Sequence, residues 1–365
     1  MSERLRVAVL YGGPSAEHEI SVVSARSVLQ AIDRERYEVV PIAITKQGRW
    51  LLPARAPDAL PAAEAGALAG VGEEDGDAIV LRARGEVVPV DEHAARPQGG
   101  PGAQIDVVFP VLHGPGGEDG TVQGMLETLG IAYVGAGVAA SAVGMSKALQ
   151  KPVFQAAGIP VTPWTDVRIE EFGRDVTAAV EAAVGATGLP CFVKPSSLGS
   201  SVGVSRCTTP GEVLIALGAA FEHDRLALVE PAIAGRELEC GVLGNDDPAA
   251  SVVGEIRPVN EFYDYEAKYV KEGSELIIPA DVPDAIAKEI QEHAVAAFRA
   301  IGCEGLARVD FFWDGTRLYL NEINTMPGFT PISMYPKLWE ASGVPYPELI
   351  DRLIRLGLER HRRAR

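Results

Sequence analysis

Short apolar runs and an amphipathic stretch alternate along the first part of the chain. The opening run is RVAVLYGG, which ends in a Gly-Gly turn, and YEVVPIAIT is a second run. Between them, apolar and small residues recur at helical spacing, at Ile20, Val23, Ser24, Ser27, Val28 and Ala31. Strand, helix and strand in this order predict an α/β unit with a parallel sheet.

The region 48–104 departs from this pattern, because it is rich in Ala, Pro, Gly and acidic residues. Its two short apolar runs, AIVLR and VVPV, predict an insertion that contains a small hairpin, with mobile stretches on either side. The chain then returns to strand, Gly-rich loop and helix in QIDVVFPVLHGPGGEDGTVQG. This loop carries His113, Glu118 and Asp119 at the carboxyl end of a strand, where ligands of open α/β sheets gather. A histidine bonded to the backbone is the alternative for His113.

A serine-rich loop between two strands is predicted by PCFVKPSSLGSSVGVSRC, which follows a domain boundary near 137–146. Small residues let backbone N–H groups approach a phosphate closely, and Lys194 stands just before the loop. The alternative is a flexible hairpin loop, and the segment does not match a P-loop. Glu230 and Glu237 flank the next linker, where they either contact an adenine and a ribose or remain solvated charges.

Two further strands joined by a tight Asp-Gly turn are predicted by LARVDFFWDGTRLYLNEIN. Residues two apart on a strand point the same way, so Arg308 shares a face with Asp310, and Glu322 shares one with Asn324. The hairpin can bring the three oxygen-bearing side chains together, and such ligands suit Mg²⁺ or Mn²⁺. The alternative is a surface ion pair between Arg308 and one carboxylate.

Composition narrows the classes of function. The 365 residues predict two or three domains, and 47% of them are hydrophobic, which is ample for burial. A net charge of −17 argues against nucleic acid or an anionic membrane as the main partner. The four cysteines have no CxxC spacing, so neither a zinc site nor a disulfide framework is indicated. Without a signal-peptide pattern or a long apolar run, we expect a cytoplasmic protein.

A series of short motifs follows a specific order along nearly the whole chain. A Gly-Gly turn with Glu17 comes first, and then LHGPGGEDG, MSK, KPSSLGSSVG, VEPAIAGRE, FYDYEAKY, RVD and NEINTMPG. This order resembles that of the D-alanine–D-alanine ligases of the ATP-grasp superfamily. The resemblance implies an α/β ATP-grasp fold with an N-terminal Rossmann-like parallel-sheet domain. The implied units are a substrate-side domain at 1–140, a central subdomain at 141–230, and a C-terminal subdomain at 231–365 with a lid loop and the metal site.

The resemblance also implies an ATP site between the second and third domains. Lys147 and Lys194 resemble the ligands of the α- and β-phosphates, and Ser201 belongs to the loop that would close over them. The other residues implied to contact ATP are Phe192, Glu230, Ile233, Glu237, Phe262, Lys268 and Phe312. Asp310, Glu322 and Asn324 resemble the ligands of two Mg²⁺ or Mn²⁺ ions, and a monovalent cation is a further candidate cofactor.

The implied reaction joins two D-alanine molecules in two steps, for peptidoglycan precursor synthesis. The carboxylate of the first attacks the γ-phosphate, and the amine of the second attacks the resulting acyl phosphate. The residues implied to act on the two substrates are Glu17, His113, Ser200, Tyr269, Arg308, Gly328, Ser333 and Met334. Glu17 would hold the first ammonium with Ser200 and Tyr269, Arg308 and the Gly328 N–H would hold the oxyanion, and the last two would bind the second carboxylate.

Two other interpretations of the function remain. One is another ATP-grasp ligase for amino or hydroxy acids, such as a D-alanine–D-lactate ligase, against which Glu17, Tyr269 and the GGEDG motif argue. The other is a nucleotide-binding regulatory protein without catalysis, which would not need Arg308 beside three metal-ligand oxygens. The resemblance further implies a homodimer, with no nucleic acid or membrane as partner.

Overall fold

Three β-sheets, each packed against helices, make up the part of the chain that the structure describes. This computed structural model describes residues 4–54, 70–90, 104–199, 202–257 and 275–364. Strands and helices are mixed throughout, which confirms the predicted α/β class.

Seven strands form the first sheet, in the order β5-β4-β3-β2-β1-β6-β7. Their bounds are Leu5–Gly12 (β1), Tyr37–Ile44 (β2), Trp50–Pro53 (β3), Gly76–Leu81 (β4), Val87–Pro89 (β5), Val107–Pro110 (β6) and Ala132–Tyr133 (β7). β1, β2, β6 and β7 run parallel, as predicted, and β3 to β5 add an antiparallel edge. The β4–β5 pair is the predicted hairpin of the insertion, with Ile79 opposite Pro89. The stretches 55–69 and 91–103, predicted to be mobile, lie outside the described residues.

The second and third sheets are antiparallel, with four and five strands. The second has the order β10-β9-β11-β8, with bounds Thr165–Arg168 (β8), Cys191–Pro195 (β9), Ser205–Cys207 (β10) and Leu226–Pro231 (β11). The third has the order β14-β13-β12-β15-β16, with bounds Arg236–Gly244 (β12), Ala249–Arg257 (β13), Glu275–Ile277 (β14), Gly305–Trp313 (β15) and Leu318–Asn324 (β16).

Helices cover the sheets and connect them. Their bounds are His18–Ala31 (α1), Thr121–Leu129 (α2), Val138–Met145 (α3), Lys147–Ala156 (α4), Ile169–Arg174 (α5), Val176–Thr187 (α6), Pro210–Phe221 (α7), Asp284–Ala300 (α8), Met334–Ala341 (α9) and Tyr346–Arg363 (α10). The helix predicted from the spacing after the Gly-Gly turn is α1, with Ile20 and Val28 buried against β1. Among the described residues, we find no helix that is both long enough and apolar enough to cross a bilayer.

One apolar core joins the first sheet to the end of the chain. It combines buried residues of β1, β2 and β6 with later residues, which include Phe329, Tyr335, Leu349 and Leu353. The last helix therefore packs on the first sheet, although two other sheets lie between them in the sequence. The predicted domain limits at 140 and 230 stay predictions.

Close backbone contact fixes α10 against β7. A methyl group at Gly357 would lie 2.5 Å from the carbonyl oxygen of Tyr133, which is a backbone atom. One turn further, Arg360 stacks on the Tyr133 ring at 4.0 Å and donates a hydrogen bond to the same carbonyl at 3.0 Å. Gly357 is thus required by packing rather than by helix propensity.

We predict that Gly357→Ala lowers the free energy of unfolding by about 1–3 kcal/mol, the usual cost of overpacking. Gly218→Ala in α7 is the matched control, because its added methyl group meets nothing within 4 Å. There the substitution should stabilise the protein by about 0.5–1 kcal/mol through helix propensity. Urea unfolding of both variants measures the two effects, and equal changes would contradict this account of the α10 contact.

Candidate active site

The β15–β16 hairpin places its charged side chains on one face. Asp310 lies opposite Glu322, and Arg308 lies opposite Asn324, in antiparallel register. The turn between the strands is closed by the Asp314 carboxylate, which accepts hydrogen bonds from the Thr316 and Arg317 N–H groups at 2.8 and 2.7 Å. The predicted hairpin is therefore confirmed, and its register brings the three oxygen donors to one end of the third sheet.

A β-bulge in β16 adds a polar group that the sequence did not predict. The register shifts between Asp310 and Phe311, so that Phe311 pairs with Leu320 and Asn321 is the extra residue. Bulges re-aim side chains, and here both Asn321 and Glu322 line the same cleft.

Arg308 is held by two carboxylates. Its guanidinium donates two hydrogen bonds of 2.7 Å to Asp310, and its Nε lies 3.1 Å from the Glu239 carboxylate. Glu239 comes from β12, directly opposite Asp310 in the register, and is buried. This planar arrangement fixes the guanidinium, since a bidentate arginine–carboxylate pair is geometrically specific.

Lys147 connects α4 to the hairpin and to the serine-rich loop. Its ammonium lies 3.1 Å from Glu322 and donates to the carbonyl oxygen of Leu198 at 2.7 Å. Its backbone N–H donates to the carbonyl oxygen of Ser196 at 2.9 Å. The first residue of α4 therefore fixes the beginning of the predicted phosphate loop next to the end of β16.

Lys194, Glu230 and Lys151 form a buried charge cluster beside this loop. One oxygen of Glu230 lies 2.8 Å from Lys151 Nζ, and the other lies 2.7 Å from Lys194 Nζ. Burial acts to raise the pKa of the Glu230 carboxyl, but the two lysines outweigh it and hold this pKa below its ordinary value. Lys151 is fully buried, and burial lowers its pKa to about 8.

The loops at the carboxyl ends of β1 and β6 contribute Glu17, His113 and Glu118, all buried. The His113 ring lies 3.1 Å from the Ser24 hydroxyl, and burial lowers its pKa. The Glu118 carboxylate accepts a hydrogen bond from the Gly114 N–H at 2.6 Å. Burial, and then the neighbouring Glu17, raises the pKa of Glu118 well above its ordinary value.

The loop after β16 presents Gly328 and Ser333. The hydroxyls of Thr330 and Ser333 lie 2.7 Å apart, and the Ser333 hydroxyl also accepts the Thr330 N–H at 3.0 Å. A methyl group at Gly328 would lie 2.8 Å from the Ser333 oxygen. A side chain at position 328 would therefore displace the Ser333 hydroxyl from its hydrogen bonds with Thr330.

A cleft of about 170 Å³ brings most of these groups together. Many of the site residues predicted from the sequence line this cleft. They are Glu17, His113, Lys147, Glu237, Arg308, Asp310, Phe312, Glu322, Asn324, Gly328, Ser333 and Met334. Phe192, Lys194, Glu230 and Ile233 lie on or directly after the second-sheet strands β9 and β11, outside this lining. Ser200, Ser201, Phe262, Lys268 and Tyr269 fall outside the described residues.

The sequence analysis did not predict three polar residues of the site, namely Lys151, Glu239 and Asn321. Lys151 follows Lys147 by one helical turn, and Glu239 follows Glu237 by two strand positions, so spacing offered a signal for both. The bulge that aims Asn321 at the cleft has no such signal in one sequence.

The oxygen donors suit a hard divalent cation. Asp310, Glu322 and Asn324 supply two carboxylates and an amide, which is the donor chemistry that Mg²⁺ takes in proteins. The lining of the cleft includes six acidic residues, Glu17, Glu118, Glu237, Glu239, Asp310 and Glu322, but only two basic ones, Lys147 and Arg308, so acidic groups are in excess there. Among described residues, no three His, Cys, Asp or Glu side chains form a ready metal centre, so a bound ion would complete its shell with water or phosphate oxygens.

Comparisons with family models and with known proteins point to the same family along nearly the whole chain. A family model described as D-ala D-ala ligase N-terminus matches residues 6–136, and one described as D-ala D-ala ligase C-terminus matches residues 153–355. A D-alanine–D-alanine ligase of Geobacillus thermodenitrificans is 48% identical, over 98% of this chain and 96% of its own length.

Solved structures show the same relationship. The structure of the D-alanine–D-alanine ligase from Coxiella burnetii matches with a TM-score of 0.83 and 38% identity, over 100% of this chain and 96% of that one. The VanG D-Ala:D-Ser ligase from Enterococcus faecalis matches with a TM-score of 0.82 and 32% identity, over 97% and 100%. The chain therefore belongs to the D-alanine–D-alanine ligase family, with the ATP-grasp fold.

Proposed function

We infer that the protein is an ATP-dependent carboxylate–amine ligase that joins two D-alanine molecules into D-alanyl-D-alanine for peptidoglycan precursors. The observation that carries this inference is the family match, which spans both the N-terminal and the C-terminal parts of the chain. The charged cleft agrees with it, because it combines cations for phosphates with carboxylates for a metal and an ammonium. The rival ligase and regulatory interpretations have no comparable support.

ATP is proposed to lie between the second and third sheets. Lys147 and Lys194 bind the α- and β-phosphates, and the Glu237 carboxylate accepts hydrogen bonds from the ribose. The base lies near Phe192, Glu230, Ile233 and Phe312. In support, Lys147 already contacts the serine-rich loop, and Glu237 and Phe312 are opposite each other on β12 and β15 at the cleft.

Asp310, Glu322 and Asn324 are proposed to hold two Mg²⁺ or Mn²⁺ ions. When bound, such ions neutralise phosphate charge and orient the transferred phosphoryl group. Arg308 keeps the Asp310 carboxylate oriented toward the cleft, and Lys147 does the same for Glu322.

In the first step, Glu17 binds the ammonium of the first D-alanine, beside His113. The substrate carboxylate then attacks the γ-phosphorus, a new C–O–P bond forms, and ADP leaves with the electrons of the broken P–O bond. Ser200, Tyr269 and Lys268 are assigned to this step by the family resemblance alone. Burial keeps His113 in its neutral form near pH 7, so it adds no positive charge next to the ammonium.

In the second step, the amine of the second D-alanine attacks the acyl carbon. The Arg308 guanidinium and the Gly328 N–H stabilise the oxyanion. The C–O bond to the phosphate then breaks, and inorganic phosphate leaves with that electron pair and with the proton that the amine nitrogen loses as the amide forms. Ser333 and the backbone near Met334 bind the second carboxylate. The Ser333 hydroxyl lies beside Gly328, which supports binding of the second D-alanine next to both residues.

Three finer assignments accompany this function. A homodimer and a monovalent-cation requirement are predictions that follow from the family resemblance. A cytoplasmic location is proposed because ATP, the required substrate, is supplied there.

Phosphate release is expected to require ATP, Mg²⁺ and D-alanine, with L-alanine nearly inert. The reason is stereochemical, since an ammonium held at Glu17 and a carboxylate aimed at the γ-phosphate fix which face carries the methyl group. A panel of D- and L-amino acids in a phosphate-release assay measures this selectivity. Equal rates with the two alanine enantiomers would refute the assignment of the substrate.

Glu322→Gln should retain the fold and lose most activity at limiting Mg²⁺, because a charged ligand becomes a neutral amide. Activity measured against Mg²⁺ concentration should need far more metal in the variant. Glu292→Gln, in an exposed pair on α8, is the control and should match the original protein. Unchanged metal dependence in Glu322→Gln would remove this residue from the metal site.

Arg308→Ala should reduce kcat by about 10²–10³-fold, the usual effect of removing one oxyanion donor. Arg236→Ala is the matched control, because Arg236 also forms a bidentate pair with a buried carboxylate, Glu255, at 2.6 and 2.7 Å, but outside the cleft lining. Steady-state kinetics and thermal unfolding of both variants separate catalysis from stability. A kcat loss for Arg308→Ala no larger than that for Arg236→Ala would contradict the role.

A further inference from the structure

Two lysines on one face of α4 contact two different sheets. Lys147 contacts Glu322 on β16 of the third sheet, and Lys151, one turn later, contacts Glu230 on β11 of the second sheet. Lys151 also donates to the carbonyl oxygen of Thr162 at 3.3 Å and contacts its hydroxyl. Thr162 in turn donates its N–H to Leu320 of β16. Lys151 therefore connects the second sheet to the third, and its side chain is fully buried.

The carboxylate of Glu230 is shared between two ammonium groups. Its two oxygens contact Lys151 and Lys194 at 2.8 and 2.7 Å, so the cluster holds two positive charges and one negative charge. A one-to-one pair of Glu230 with Lys194 would be neutral, whereas the three-membered cluster has one positive charge in excess. Lys194, at 8% exposure, is the more accessible of its two lysines. The excess charge is therefore presented through Lys194.

We propose that Lys151 is a positioning residue for nucleotide binding, which occupies one oxygen of Glu230 and so keeps Lys194 positively charged toward the phosphates. This inference rests on the proposed role of Lys194 as a phosphate ligand. Lys151 does not touch the nucleotide itself, because its ammonium is enclosed by Glu230, Thr162 and the Trp164 ring, whose centroid lies 5.7 Å away. Its effect is exerted through the charge of its neighbours.

The proposal predicts a loss of affinity that is specific for phosphates. In Lys151→Met, a neutral residue of similar length, Glu230 should pair with Lys194 alone. Affinity for ADP should then fall about tenfold, the size of one charge-assisted hydrogen bond, whereas affinity for adenosine should change little. Competition against a fluorescent nucleotide, without D-alanine, gives both affinities, and their ratio is the readout. Lys288→Met, at an exposed position of α8, is the control and should leave the ratio unchanged.

Two further variants separate this inference from the proposed function. Lys194→Met should lower the ADP-to-adenosine ratio by at least as much, and an unchanged ratio there would refute the phosphate role of Lys194 itself. If Lys194→Met lowers the ratio but Lys151→Met does not, only the inference about Lys151 is wrong.

The double variant Lys151→Met with Glu230→Gln tests the mechanism. Lys194 is no longer neutralised in it, so the ADP-to-adenosine affinity ratio should recover. A purely structural role for Lys151 would give no recovery and would weaken adenosine binding as well.

The pH dependence of nucleotide binding by the unmodified protein offers a further test. The charged groups that face Lys151 are Glu230 on β11, Lys194 on β9, Glu322 on β16 and Asp166 on β8. Burial lowers the pKa of Lys151 to about 8, so its proton is lost as pH rises through that value. The ADP-to-adenosine ratio should therefore fall between one pH unit below and one above this pKa. This fall should be absent from Lys151→Met, and an equally large fall of the ratio in that variant would overturn the proposal.

Discussion

The cleft depends on buried carboxylates that share cations from other elements. An unpaired ion in the interior costs several kcal/mol, so each buried carboxylate requires a partner in the folded chain. The buried Glu230 pairs with lysines from α4 and β9, and the partly buried Glu322 and Asp310 pair with a lysine from α4 and with Arg308. The two pairs made by α4 connect the second sheet to the third through that helix, so they fix the distance between the two sheets.

This arrangement explains how an acidic protein binds a polyanion. The chain carries a net charge of −17, which opposes ATP at long range, yet two lysines on α4 and one on β9 concentrate positive charge at one place. Directly beside Lys147, the carboxylates of Asp310, Glu322 and Glu239 supply negative charge for a metal. Lysines suited to phosphates therefore lie next to carboxylates suited to divalent ions, which is the combination that phosphoryl transfer requires.

Much of the fold could be predicted from short sequence patterns. Alternation of apolar runs predicted the parallel sheet, and the Asp-Gly turn predicted the β15–β16 hairpin that unites Arg308, Asp310 and Glu322. Contacts between distant parts of the chain were not predictable in the same way. The pairing of Lys151 with Glu230, the bulge at Asn321 and the packing of α10 on the first sheet all depend on tertiary structure. One sequence contains no periodic pattern that encodes them.

If the enzyme activates a substrate carboxylate by transferring a phosphoryl group to it, an oxygen of that carboxylate must leave with the phosphate, and isotope transfer tests this directly. D-alanine with both carboxyl oxygens replaced by ¹⁸O is incubated with ATP and Mg²⁺ in unlabelled water, and the inorganic phosphate is analysed by mass spectrometry. Attack of the carboxylate on the γ-phosphorus places one labelled oxygen in the bridge, and attack by the second amine releases that oxygen with the phosphate. We expect one ¹⁸O atom in each phosphate released with a dipeptide. Dipeptide formation with unlabelled phosphate would contradict it.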